Sequence, residues 1–157
     1  MPIDSILLNE IEIDFENSLY SFLLKYNHNK FWNWFSENAN EYPPNNEFKI
    51  VNEELEFESG ECFRNTLQMT INEGKKYVEG FYCINSNYTL HAFNLNNRKV
   101  EDYTLIQNKD KINVFLPTKY VGVIIEPLFI LDKIKLENYL NVSNPLIFEY
   151  FKFSQNR

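Results

Sequence analysis

The chain predicts an α+β fold, and three observations lead there. Apolar and aromatic residues recur at helical spacing through the first part of the chain. Three strand-like runs separated by asparagine-rich turns begin at Tyr77. Between the two regions lies a short amphipathic segment carrying Cys62. The expected architecture is one domain over 1–157. A helical N-terminal region (1–45) packs on an antiparallel sheet, 48–126 forms the core with the Cys62 helix against one face of the sheet, and 127–157 supplies a C-terminal helix and tail.

Taken in order, Asp4 to Phe15 is ambiguous, because Ile11, Ile13 and Phe15 alternate like a short strand. From Asn17, the residues Leu19, Phe22, Leu23 and Tyr26 predict a helix. A second helix holds Phe31, Trp32, Trp34 and Phe35, and ends in the segment Asn38 to Asn46, where Pro43-Pro44 cannot continue it. Phe48 to Phe57 reads as a strand or hairpin. Ser59 is the expected N-cap of a helix from Gly60 to about Asn72, with Phe63, Leu67 and Ile71 on one face and Gly74 as its stop. Strands are expected at Tyr77–Ile84, Tyr88–Leu95 and Lys99–Ile106, with turns at Asn85-Ser86-Asn87 and Asn96-Asn97. Val114–Leu116 and Tyr120–Ile125 add short strands. Leu128 to Leu140 predicts a helix broken by Asn144-Pro145, and the period of Leu146 to Phe153 does not decide its type.

Composition narrows the function classes. A net charge of −7 and no lysine/arginine stripe argue against nucleic-acid binding, since an acidic surface repels phosphates. Two cysteines are too few for a disulfide scaffold. No basic segment followed by an apolar run opens the chain, and no stretch has the length of a membrane span. The expectation is a soluble cytoplasmic protein with reduced thiols. Aromatic residues make up 17% of the chain, so the core must be largely ring packing.

Cys62, His91 and Asp102 are the candidate catalytic residues. Counted from Ser59, Cys62 occupies the third helical position, where the macrodipole favours negative charge and outward N–H groups can steady an oxyanion. His91 lies mid-strand. If Asn96-Asn97 is a two-residue hairpin loop, Leu95 faces Arg98, Phe93 faces Val100 and His91 faces Asp102. Directly opposed Cβ atoms are about 4.5–5.5 Å apart, so the carboxylate can accept the Nδ1 proton and orient the ring. The bland alternatives are a buried cysteine and an ordinary cross-strand pair.

The order of these residues, and the words around them, resemble the transglutaminase-like, papain-type superfamily. The words are Gly60-Glu61-Cys62-Phe63-Arg64-Asn65, Tyr77-Val78-Glu79-Gly80-Phe81, His91-Ala92-Phe93-Asn94 and Asp102-Tyr103-Thr104-Leu105, followed by Tyr120-Val121-Gly122-Val123. They look like the motifs of small uncharacterised bacterial and phage proteins, over about Gly60 to Ile125. Phe93 stands where those have Trp, and Tyr103 where they have Pro. The resemblance implies a transglutaminase-like core and a Cys-His-Asp triad working on a protein or peptide amide as peptidase, deamidase or transamidase.

Supporting roles fall to Asn65, Glu79 and Asn94. Asn65 shares a helix face with Cys62 and could pack that helix or polarise a substrate amide. Glu79 could anchor the Cys62 helix through its backbone donors, or stand as a half-exposed strand carboxylate. Gly80 in mid-strand points to a close backbone approach or a bulge. No cofactor is expected. Zinc on Cys62, Cys83 and His91 would lack the usual paired spacing and a fourth ligand, and His28 reads as surface. A binding module that keeps the fold without turnover stays open beside the enzyme reading, and the oligomeric state is undetermined.

Overall fold

The computed structural model describes residues 3–25, 27–45, 57–58, 60–108, 116–136 and 144–156. It is a mixed helical and antiparallel-sheet fold. Outside the described residues lie the Ser59 cap, nearly all of the 48–57 strand and most of the strand Val114–Leu116.

Helix α1 spans Ser5–Glu16, correcting the strand-like reading of Ile11, Ile13 and Phe15. Asp4 caps it, its carboxylate accepting the Leu7 N–H at 2.8 Å. Leu7, Ile11 and Phe15, four apart, are the buried stripe, and Ile13 is 54% exposed. The helix expected from Asn17 shrinks to a 3-10 turn, Ser21–Leu24. Ser18 there bonds its hydroxyl to the Tyr20 N–H, offering the backbone an alternative to helix. Leu19 and Phe22 are consequently exposed, and Leu24 is the buried residue. Helix α2 covers His28–Asn38, so His28 opens a helix rather than sitting in a loop. Its buried Phe31, Trp32, Trp34 and Phe35 pack against α1 and the C-terminal helix, as in the edge-on contact of Phe15 with Trp32 at 5.5 Å.

Strand β1 (Asn40–Tyr42) was hidden in the segment read as a helix ending. Helix α3 (Cys62–Glu73) ends at Gly74, whose φ of 69° is the left-handed cap that glycine adopts without strain. Strands β2 (Lys76–Ile84) and β3 (Asn87–Asn96) form a hairpin through Asn85-Ser86. Strand β4 stops at Lys99–Glu101, and the rest of the expected third strand is helix α4, Tyr103–Asn108. Strand β5 (Lys119–Ile125) is followed by α5 (Pro127–Leu136) and α6 (Ile147–Gln155). The segment 137–140, expected to extend α5, is outside the described residues. The undecided aromatic tail is helical.

The sheet order is β1-β5-β2-β3-β4, antiparallel throughout. Tyr77, Phe81, Leu90, Ala92, Val121 and Val123 face one core shared with α1, α2, α3 and α6. The other face carries Val78, Phe93, Leu95, Val100 and Tyr120. His91 belongs to that second face, because it pairs with Gly80 while Leu90 and Ala92 point to the first.

Candidate active site

Two asparagines fix where the thiol and the imidazole lie. Asn94, fully buried on β3, donates to the Thr66 carbonyl at 3.1 Å, the Thr70 hydroxyl at 3.2 Å and the Lys76 carbonyl at 3.2 Å. The first two bonds seat α3 along β3, so that Cys62, one turn before Thr66, reaches the level of His91. Asn65 donates to the Glu58 carbonyl and the Thr104 hydroxyl, both at 2.8 Å, and accepts the Glu58 N–H at 3.1 Å. It thereby ties the chain before α3 to the first turn of α4. Its role is to hold the walls of the site.

Cys62 is the first residue of α3, with Glu61 at the cap position and no side-chain cap bond. Cys62 thus stands two residues nearer the helix start than the expected third position. The macrodipole favours negative charge there as well, because the leading N–H groups are the ones left without helical acceptors.

His91 Nε2 lies 2.7 Å from Asp102 Oδ2, in a pair almost sealed from solvent. The expected route to that contact is corrected twice. Asp102 engages Nε2, not Nδ1, so Nδ1 is the ring nitrogen left for the thiol that shares the cleft. The register also differs: Asn97-Arg98 is the hairpin loop, with φ of 51° and 66°, and Leu95 pairs with Val100. The left-handed conformation at Arg98 costs roughly 1–2 kcal/mol. Pairing Leu95 with Val100, both buried, offsets it, since fully burying such side chains is worth about 1.5–3 kcal/mol each. The turn slides by one residue, and an antiparallel partner slides by two, so side chains keep their faces. Asp102 therefore stays on the face of His91 and reaches it diagonally from the cap position of α4.

Asp102 is held there from three directions. Its Oδ1 accepts the Leu105 N–H at 3.2 Å, and its Oδ2 accepts both the imidazole and the Tyr120 hydroxyl, the latter at 2.9 Å. Burial and the Asp102 charge push the Tyr120 hydroxyl far up, so it remains a donor. Burial alone would lower the His91 pKa, but the Asp102 carboxylate and the Cys62 sulfur together hold it well above the ordinary value. Tyr82 stacks on the His91 ring at 4.2 Å with 13° between planes. Neither Tyr82 nor Tyr120 was expected beside His91 and Asp102, although Tyr120 opens the last of the resembling words. The parity of Tyr82 relative to Gly80 could have indicated the first; Tyr120 depended on the unreadable register between β2 and β5.

Cys62 and His91 open on a cleft of about 250 Å³ lined also by Gly60, Tyr82, Leu90, Thr104 and Leu105. A second cleft, of about 390 Å³ between α2, β5 and α6, includes Trp34, Glu126 and Tyr150 and lies away from the thiol. Cys83 lines a third with Asp14 and Tyr88, so it does not join Cys62 and His91. No group of three or more His, Cys, Asp or Glu able to hold a metal occurs among the described residues. None of the described helices is long and apolar enough to cross a membrane.

Glu79 does something other than expected. It is fully buried, and it caps α6 rather than α3. Its oxygens accept the Leu146 N–H at 2.9 and 2.8 Å, the Ile147 N–H at 3.0 Å and the Tyr77 hydroxyl at 2.6 Å. Burial raises its pKa to about 7 against these stabilising bonds. The folded state thus keeps a proton that the unfolded chain loses as pH climbs through about 4.5. The contribution of Glu79 to stability falls between those two values and is level above the upper one, by on the order of 3 kcal/mol in all. We expect Glu79→Gln, which cannot titrate, to lack this loss. Urea unfolding of both proteins at pH 4.5 and 8 checks it, through the change in their stability difference.

The chain was compared with protein-family models, curated proteins and solved structures, and it matches none of them.

Proposed function

We propose that the chain performs thiol-dependent acyl chemistry on a protein or peptide amide, with Cys62 as nucleophile, His91 as acid–base and Asp102 as its orienter. The carrying observation is an imidazole bonded to a buried carboxylate and sharing a cleft with a thiol at a helix start. The resemblance of the words around these residues to the transglutaminase-like superfamily supports the same reading.

His91 takes the Cys62 proton, and the resulting imidazolium is held by Asp102. The sulfur attacks the amide carbon, and backbone N–H groups at the start of α3 steady the oxyanion. The C–N bond breaks as the amine leaves with the proton from His91. Water or another amine then attacks the thioester, gives its proton to His91 and releases the acyl group, and the proton returns to sulfur. Water makes the protein a peptidase or deamidase, and an amine makes it a transamidase. Two free cysteines fit a reducing compartment, and we assign the protein to the cytoplasm.

The rival is a binding module that keeps the arrangement without turnover, and it draws on the low exposure of Cys62, 9%. Alkylation separates the two. Cys62 should react with iodoacetamide faster than Cys83, and the rate should drop in His91→Ala. Equal, slow labelling of both thiols from pH 5 to 9 would give the site to the binding module.

A further inference from the structure

Asp102 meets His91 Nε2 at 2.7 Å from the point where the chain changes from strand to helix. β4 ends at Glu101 and α4 begins at Tyr103, so the change is made within one residue. α4 has six residues, too few to hold a helix by main-chain bonds alone. Its place depends on side chains. Asn65 holds Thr104, and Asp102 itself accepts the Leu105 N–H. Neither bond reaches back to the strand before the bend.

Glu101 makes that connection. It stands opposite Asn94 in the ladder, so its side chain lies on the face of the sheet away from His91, and it is buried. One carboxylate oxygen accepts the Tyr103 hydroxyl at 2.6 Å, across Asp102, and lies 3.4 Å from the Lys75 ammonium. The other accepts the Asn96 amide at 3.2 Å. Lys75 follows the end of α3, and Asn96 ends β3. One carboxylate thus gathers the segments that carry Cys62, His91 and Asp102. The Tyr103 ring is held too, stacked on Phe57 at 5.2 Å and packed with Met69 of α3. Burial and the Glu101 charge push its pKa up, so the hydroxyl stays a donor.

Building on the proposed acyl chemistry, we propose that Glu101 and Tyr103 are positioning residues: their bond closes the bend at Asp102 from the far face of the sheet and keeps that carboxylate on His91 Nε2. Neither lines the cleft, so both act through Asp102.

The test reads the aim of Asp102 from the imidazole. Around His91 stand Asp102, bonded to it; Tyr120, which donates to that carboxylate; Tyr82, stacked on the ring; and Cys62, across the cleft. The carboxylate favours the imidazolium, so a looser carboxylate lowers the proton affinity of the ring. His91 is titrated by NMR in the full chain with His28→Gln, which leaves one imidazole, and iodoacetamide labelling of Cys62 is followed across the same pH range. Tyr103→Phe keeps the stacked ring and removes the bond. It should lower the proton affinity of His91 by about three- to tenfold, part of what a neighbouring carboxylate contributes, and move the labelling profile with it. Glu101→Ala should match it, and the double variant should add little, because both remove one interaction. Glu101→Gln keeps an acceptor oxygen for Tyr103 and should stay near the parent. Lower urea midpoints with an unmoved His91 titration would overturn the proposal, leaving the bond a role in the fold alone. A shift in Glu101→Gln as large as in Glu101→Ala, with none in Tyr103→Phe, would overturn it in favour of charge at a distance. Both results leave the acyl chemistry standing. A parent His91 that titrates at the ordinary imidazole value, with Cys62 labelling independent of it, would overturn both.

Discussion

Cys62→Ala is expected to reduce turnover of an amide substrate to background while leaving the fold nearly intact, because a thiol-to-methyl change removes little volume. His91→Ala should be as severe, since residues that act as one unit are not additive. Asp102→Asn should retain a residual rate, lower by about 10²–10⁴-fold. It should also cost stability. Asp102 accepts from three donors, His91, Tyr120 and Leu105, and an asparagine has one acceptor oxygen. Its amide must then face a buried donor, a penalty of about 1–3 kcal/mol. Steady-state kinetics with a substrate from a proteome-wide search for cleaved, deamidated or cross-linked products, together with urea midpoints, measure both effects. Full activity in Cys62→Ala would refute the nucleophile assignment.

Gly80→Ala should be the most damaging single methyl in the protein. Gly80 pairs with His91 on one side and Gly122 on the other. A Cβ there would lie 2.0 Å from the Val121 carbonyl oxygen and 2.5 Å from the Gly122 Cα. Both obstacles are backbone, so β2 and β5 must part. We expect a loss above about 4 kcal/mol, the range reserved for such mechanisms, with loss of the near-ultraviolet circular dichroism signal. Gly60→Ala is the contrast. Its added Cβ meets nothing within 4 Å, so only the positive φ of 79° is opposed, at a cost of roughly 1–2 kcal/mol. Comparable unfolding midpoints for the two variants would contradict this account.

The sequence carried the local features well and the long-range ones poorly. Cys62 at a helix start and His91 on a strand were legible, and so was the face that Asp102 shares with His91, because each depends on a few neighbouring residues. The hairpin turn was misplaced by one residue because Asn96, Asn97 and their neighbours all accept turn conformations; pairing of Leu95 with Val100 made the choice. The helical nature of Asp4 to Phe15 was masked by Ile13, an exposed apolar residue that mimics a strand's alternation. Lys99 to Ile106 was read as one strand although Asp102 is a helix cap, a role its residue type favours. Glu79 bonds residues far along the chain, and the Tyr120 hydroxyl depends on the order of strands. Neither contact leaves a trace in local periodicity.

The clamp between Glu79 and the start of α6 also sets an order of events in folding. Hairpin β2–β3 and the seating of α3 on it involve neighbours in sequence and can form early, since short loops close quickly. The carboxylate that these steps carry into the interior meets its main-chain donors only when Leu146 and Ile147 arrive. A growing chain would therefore hold the hairpin and α3 with an uncapped acid beneath them until α6, made after both, completes the interior there.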